Sequence, residues 1–162
     1  HGSNSLSVGD ASITLADVPL FTNAPHYFLL YAASATTTAF DTQSILEAFL
    51  ISPVGGAVAC IGSSRIPFPN TANPRQEEFY DALICGDMTR LGDAYVEVLS
   101  RFVDNTYWNT SDRWTHLTSV LLGDPSLQQE LSWELQQGAE RFSTAHFMST
   151  MSEMVAESLA RV

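Results

Sequence analysis

Two short apolar runs on either side of an amphipathic segment dominate the first 65 residues. Tyr27 to Ala32 reads YFLLYA without polar alternation, and Ala57 to Ile61 reads AVACI. Runs of this kind are typical of strands that are buried on both faces of a parallel sheet. Between them, Ile45 to Leu50 has apolar residues at helical spacing, with Asp41 as the predicted cap and Pro53 as the stop. The pattern predicts a βαβ unit with parallel, adjacent strands.

The flanking segments give weaker patterns. The stretch up to Ala24 is rich in Ser, Asn, Gly and Asp, which predicts a loop with one helical turn near Ala16 to Leu20. Gly62 to Pro74 is polar and contains several prolines, so we expect a long and functional loop there. Arg75 to Ile84 and Thr89 to Val103 follow helical patterns.

The last third of the chain is predicted to be largely helical. Trp114 to Leu122 is apolar on one side and should end, as a helix or a strand, at Gly123-Asp124-Pro125. From Ser126 onward an apolar stripe at helical spacing, interrupted near Gly138, predicts two helices that pack on the chain's own domain. Together the patterns predict an α/β fold of three layers, with a mostly parallel sheet and a helical carboxy-terminal extension.

Composition excludes several classes of function. The chain has 162 residues, of which 45% are hydrophobic, and this is enough to form one ordinary domain. Its formal net charge of −11 would repel a nucleic-acid backbone and an anionic lipid surface. No apolar run approaches the roughly 20 residues that a membrane-spanning helix needs. Because the chain starts without Met or a leader, we expect it to be part of a longer protein.

Several residue types that often carry chemistry are better explained by packing. Cys60 lies inside an apolar run and is expected in the core; Cys85 is too far from it for metal-ligand spacing. Trp residues are expected to be core or interface anchors, namely Trp108, Trp114 and Trp133. Three His residues lack neighbours at ligand spacing and are assigned to packing or to solvent, namely His26, His116 and His146.

No metal or cofactor is expected. The only weak signal is for structural calcium, from three acidic residues of the first 41, namely Asp10, Asp17 and Asp41. Their spacing lacks the pattern of a dedicated calcium loop, so local capping is the favoured interpretation.

In open α/β sheets, ligand-contacting residues collect beyond the carboxyl ends of the strands. That rule selects two loops, Ala33 to Asp41 after the first predicted strand and Gly62 to Arg65 after the second. Their motifs, with those before and after them, resemble the gingipain-type cysteine peptidases of the caspase-like clan, from His1 to about Leu127. The motifs are His1-Gly2-Ser3, Leu20-Phe21-Thr22-Asn23, Ala39-Phe40-Asp41, Gly55-Gly56-Ala57-Val58, Gly62-Ser63-Ser64-Arg65, Leu91-Gly92-Asp93-Ala94 and Leu121-Leu122-Gly123-Asp124-Pro125-Ser126-Leu127.

The resemblance implies a Cys/His dyad that hydrolyses peptide bonds. It assigns the catalytic histidine to His1, an oxyanion-binding backbone N–H to Gly2 and the nucleophile position to Ala35. A methyl group cannot attack a carbonyl, so the chain as given is expected to be inactive. Ser34, the nearest hydroxyl, is interpreted as a packing residue. The wall of the primary specificity pocket falls on Ser63, Ser64 and Arg65, although an ordinary loop arginine paired with an acidic residue is an equal alternative.

Alternatives remain at three points. Ala35 is explained either by a deliberate exchange of cysteine, which we favour, or by natural loss of the nucleophile. His1-Gly2-Ser3 is interpreted as the family motif, against the remnant of a purification tag. The whole chain could instead be a peptidase domain of bacterial defence systems, or a catalytically dead peptidase-like module that binds peptides or a partner protein.

The resemblance also sets expectations for organisation. Residues 1–127 would form the later half of a peptidase domain, and residues 128–162 a helical extension on that domain. The earlier strands would come from a missing amino-terminal half that stays associated with this chain. Peptides or proteins would be the substrates, and the protein would be exported from a bacterium to the cell envelope or beyond.

Overall fold

The computed structural model describes residues 2–86 and 88–124. The strands are β1 (Ser5–Val8), β2 (Ala11–Thr14), β3 (Phe28–Tyr31), β4 (Ala57–Ser63) and β5 (Ser119–Gly123). The helices are α1 (Ile45–Ile51), α2 (Pro69–Tyr80), α3 (Leu91–Arg101), α4 (Val103–Trp108) and α5 (Thr110–Thr118), with a 3-10 turn at Val18–Leu20 and a π-helical turn at Asp81–Cys85. The predicted carboxy-terminal helices, the domain boundary at residue 127, Trp133, His146 and His1 lie outside the described residues.

The predicted βαβ unit is confirmed. β3 and β4 are parallel neighbours, with Phe28 opposite Ala57 and Tyr31 opposite Ile61, and α1 connects them. β5 lies antiparallel on the other side of β4. The described three-stranded sheet is therefore mixed, where the sequence predicted a mostly parallel one. The reason is that α5 delivers the chain to the end of the sheet where β4 stops, so that Ser119 pairs with Ser63.

Both faces of this sheet are covered. On one face, Ala57 and Cys60 pack against α1 and the first hairpin. On the other, Ala59 and Ile61 pack against α2, α3 and the turn between them. The pairing register slips by one residue between Phe28 and Leu29, which explains why Ala57 and Cys60 share a face although their spacing is odd.

The prediction of a loop up to Ala24 is wrong for its first half. β1 and β2 form an antiparallel hairpin in which Leu6 is paired with Ile13, and both side chains are buried. Gly9 turns the chain at φ +60°, a conformation that glycine adopts without strain. The polar residues that suggested a loop lie on the exposed face of this hairpin, as period-two alternation requires. The expected helical turn is confirmed as the 3-10 turn.

The cap of α1 differs from the prediction. Ser44, not Asp41, precedes the helix: its side chain accepts from the Glu47 amide, and the Glu47 carboxylate accepts from the Ser44 amide. This reciprocal pair is a capping box. Asp41 is instead paired with Arg65. The helix ends at Ile51, just before Pro53, as predicted.

The later predictions need smaller corrections. The long loop after β4 is shorter than predicted, because α2 already begins at Pro69, where a proline fits the first helical turn. Trp114 to Leu122 divides into the end of α5 and the strand β5. Cys60 is buried, as predicted. Trp108 and Trp114 are not core residues, since their exposed fractions are 86% and 44%.

Candidate active site

The loop that carries Ala35 leaves the end of β3 and stays fastened to β4. At its start the Ala32 amide donates to the Ile61 carbonyl at 2.8 Å, and further on the Thr38 amide donates to the Ser63 carbonyl at 3.2 Å. Position 35 lies between these two attachments and is half-buried. The sheet therefore holds this position at the carboxyl end of two parallel strands, as the sequence predicted.

The backbone directly after position 35 is strained. Thr36 has φ +54°, in the left-handed region that β-branched residues rarely adopt. The Ala39 amide closes the turn by donating to the Thr36 carbonyl at 3.2 Å. Outliers of this kind cost on the order of 1–3 kcal/mol and are frequent at active sites.

Gly62 explains why the loop can lie so close to β4. A Cβ at this position would be 2.6 Å from both Leu46 Cδ1 and Thr37 Oγ1. A larger residue would force these side chains to shift, so the glycine of the Gly-Ser-Ser-Arg motif suits the close packing of the loop and α1 on β4.

The amino-terminal segment is brought to the same place by α1. The Ile45 amide donates to the Ser3 carbonyl at 2.7 Å, and the next amide, of Leu46, donates to the Thr37 carbonyl at 3.3 Å. These are orphan amides of the first helical turn. One helix start thus holds both the His-Gly-Ser segment and the loop of position 35, although the position of His1 itself is outside the described residues.

Gly2 does not present a free N–H in this structure. Its amide donates to the Ser5 carbonyl at 3.4 Å, in a bridge that continues the first hairpin. The bond is long, and an oxyanion would have to replace the Ser5 carbonyl as its acceptor.

The Ser-Ser-Arg motif ends β4 beside this loop. Ser63 is buried, and Ser64 donates through its amide and its hydroxyl to the Thr118 carbonyl, at 2.8 and 3.1 Å. The two terminal nitrogens of Arg65 lie 3.3 and 3.4 Å from the carboxylate oxygens of Asp41. This ion pair joins the ends of the two candidate loops, but it is exposed and contributes little stability. The acidic partner that the alternative interpretation of Arg65 predicts is therefore present, as Asp41.

Other candidate residues have local roles. The Asp17 carboxylate accepts from the Thr14 amide and hydroxyl at 2.8 and 2.7 Å, which is the predicted capping. Among the described residues, no group of three His, Cys, Asp or Glu side chains could hold a metal ion. Burial, and to a lesser extent the charge of Arg75, lowers the pKa of His116, which favours the neutral form expected of a packed histidine.

The comparison with known families decides the class of protein. Residues 1–130 match peptidase family C25. The chain belongs to this family. The family is that of the gingipain-type cysteine peptidases, so the resemblance carried by the motifs is confirmed at this level. No curated protein and no solved structure matches the chain. Within the described part of this C25 chain, no helix is both long enough and apolar enough to span a bilayer.

Proposed function

We propose that this C25 chain is the later half of a caspase-like, three-layer cysteine endopeptidase domain, residues 1–127, with a helical extension in residues 128–162. The observation that carries the proposal is the shared start of α1. Its Ile45 and Leu46 amides bind the Ser3 and Thr37 carbonyls, which lie two residues from position 1 and from position 35, and this closeness supports a dyad between His1 and residue 35. The strained turn at Thr36 supports the same site.

With cysteine at position 35, the reaction is acyl transfer. The thiolate forms a bond to the peptide carbonyl carbon, and the carbonyl electron pair moves to oxygen, stabilised by the N–H groups of Gly2 and residue 35. The intermediate collapses, the C–N bond breaks and the amine leaves with a proton from the His1 imidazolium. Water then hydrolyses the thioester. The imidazolium also favours the thiolate, so the dyad needs no cofactor.

With Ala35 this chemistry has no nucleophile, and the form as given should bind peptides without cleaving them. We infer that cysteine was exchanged for alanine in an otherwise intact cleft. The alternative is a natural peptidase-like module that binds peptides or a partner protein. The Ala35 side chain supports this alternative as well, because a binding module needs no nucleophile. Both assign the primary pocket wall to Ser63, Ser64 and Arg65.

The test is to make Ala35→Cys in a Cys85→Ser background, in a protein that carries both halves of the domain. Hydrolysis of a basic-residue peptide library, and covalent labelling by a thiol-directed peptidyl ketone, would support the endopeptidase. Ala33→Cys is the matched control, a thiol two residues away in the same loop. Burial raises the pKa of Cys60 to about 12, so this thiol should not compete for the label.

The outcomes separate the two functions. If neither hydrolysis nor labelling exceeds that of Ala33→Cys, and peptides nevertheless bind to the Ala35 form, the binding module is correct. If the Ala35→Cys protein hydrolyses peptides and a further His1→Ala substitution abolishes that hydrolysis, His1 is the histidine of the dyad. Activity that survives this variant would contradict the dyad.

Partners and location follow from the same proposal. In the described residues β3 is hydrogen-bonded to β4 on one side only. We propose that the strands of the missing amino-terminal half pair with the other side of β3. Peptides or proteins are the proposed substrates, and a bacterial cell envelope or extracellular location is proposed by resemblance to the family.

A further inference from the structure

Helix α5 is attached to every second residue of the segment that follows β4. The Thr118 carbonyl accepts from the Ser64 amide at 2.8 Å, the Trp114 indole N–H donates to the Ile66 carbonyl at 2.8 Å, and the Phe68 amide donates to the Thr115 hydroxyl at 3.4 Å. We call residues 64–68 the bridging loop. All three bonds use its backbone and so fix its path, and the Ser64 hydroxyl adds a bond to the Thr118 carbonyl.

The helix is itself fixed against α2. The Thr115 hydroxyl lies 2.6 Å from the Thr71 hydroxyl, which in turn donates to the Phe68 carbonyl at 2.9 Å. Deeper in the interface, the buried Arg75 guanidinium pairs with the Asp112 carboxylate at 2.9 Å. A carboxylate and guanidinium in this geometry resist displacement, because separating them would leave a buried charge unpaired. The bridging loop therefore has a rigid support.

Three of the five bridging-loop side chains are exposed, namely Arg65, Ile66 and Phe68, whereas Pro67 is buried and the Ser64 hydroxyl donates to the Thr118 carbonyl. Ile66 and Phe68 are 68% and 47% exposed, and Arg65 reaches Asp41 at the mouth of the loop that carries position 35. A fixed backbone that presents exposed apolar side chains beside the loop of position 35 is an arrangement suited to recognising an extended ligand.

We propose that Trp114 and Thr115 are positioning residues for peptide binding, which set the conformation of the bridging loop through its backbone. The inference rests on the proposed function, since it takes the bridging loop as part of the substrate-binding wall. Neither residue touches the reacting atoms. Removing either attachment should weaken peptide binding and leave the thiol chemistry unchanged.

The first measurement does not depend on activity. In the Ala35 form, Trp114→Phe and Thr115→Val should each raise the amide exchange rates of Ser64 and Phe68 about fivefold, the factor expected for one neutral hydrogen bond. Thr115→Ser keeps the hydroxyl and should restore the slow rates. Trp108→Phe is the matched control, because that indole is also exposed and lies outside the attachment. Amides of α3 should not change in any variant.

The second measurement uses the Ala35→Cys form. Trp114→Phe and Thr115→Val should raise KM for a peptide substrate about fivefold with little change in kcat, whereas alkylation by iodoacetamide, which needs no peptide contacts, should proceed at the parent rate. Unchanged exchange in the bridging loop would overturn the attachment. Faster exchange with an unchanged KM would overturn its role in binding. If Ala35→Cys is inactive, the proposed peptidase fails, and peptide affinity of the Ala35 form then decides the role of the attachment.

Discussion

Thr36 holds a left-handed conformation that glycine adopts freely and that a β-branched side chain resists. Thr36→Gly should remove about 1–2 kcal/mol of strain and lose about 0.7 kcal/mol through the greater freedom of the unfolded chain. We therefore expect the free energy of unfolding to rise by up to about 1 kcal/mol, measured by urea denaturation. Thr37→Gly is the control. Its buried hydroxyl donates to the Ser34 carbonyl and its φ is not positive, so this change should destabilise.

If Thr36→Gly destabilises the protein, the side chain of Thr36 contributes more than its backbone costs, and the turn is not strained in the sense proposed. If the change stabilises as expected, the strain is a property of the turn at position 35. A strained conformation beside the proposed nucleophile position is the pattern found where local geometry serves catalysis.

At the scale of single elements, the capping box of α1 is open to a direct test. Ser44→Ala removes the acceptor of the Glu47 amide and should lower the free energy of unfolding by about 1 kcal/mol. Glu47→Gln keeps the reciprocal bond to the Ser44 amide and should cost only a few tenths of a kcal/mol. Both values come from denaturant unfolding. Equal losses for the two variants would show that the Ser44 side chain does not cap the helix.

This element also shows which parts of the fold the sequence could predict. The strands and helix of the βαβ unit follow from local apolar periodicity, and these were predicted correctly. Asp41 and Ser44 are both good caps by residue type; in the structure Ser44 caps the helix, and Asp41 pairs with Arg65, 24 positions away along the chain. A contact of that range leaves no trace in a local pattern.

In the candidate site, too, some features could be predicted from the sequence and others could not. The rule that loops gather at carboxyl ends of strands placed residue 35 and the Ser-Ser-Arg motif correctly at one edge of the sheet. The attachment of the bridging loop to α5 was missed. Trp114 lies 48 positions from Ile66, and in the sequence it reads only as one apolar residue of a stripe. The hairpin of β1 and β2 was also missed, although its signal is local: apolar residues such as Leu6 and Ile13 alternate with polar ones on both sides of Gly9.

At the scale of the whole molecule, Arg75 and Asp112, which are 37 positions apart in the chain, join helices α2 and α5. Arg75 also stacks on the Phe102 ring, at 4.5 Å from its centroid. Asp112→Asn would leave the guanidinium charge buried without a counterion, so we expect a loss of about 3 kcal/mol in the free energy of unfolding.

The control for that prediction is Asp93→Asn, which breaks the exposed pair of Asp93 with Arg90 and should cost less than about 1 kcal/mol. Thermal and denaturant unfolding would measure both variants. Similar losses in the two would contradict the structural role assigned to the buried pair.

The described core also predicts how stability responds to alkaline pH. Burial raises the pKa of Tyr80 to about 12, partly opposed by a hydrogen bond with the Tyr31 backbone, and burial alone raises that of Cys60 to about 12. The pKa values of Tyr31 and Tyr95 are raised as well, chiefly by burial. In the unfolded chain, cysteine and tyrosine lose their protons at about pH 8.5 and about pH 10. Between about pH 9 and 12 the native state therefore binds more protons than the unfolded state.

Stability should therefore be fully present below about pH 8.5 and fall as pH rises toward 12. Tyr80→Phe removes one of the groups responsible and should flatten the decline between about pH 10 and 12, whereas Tyr107→Phe, at an exposed ring, should leave the slope unchanged. Denaturant unfolding at half-unit pH steps measures the slope. A decline that is equally steep in Tyr80→Phe would show that Tyr80 is not responsible, and no decline at all would mean that folding does not raise the pKa values of these side chains.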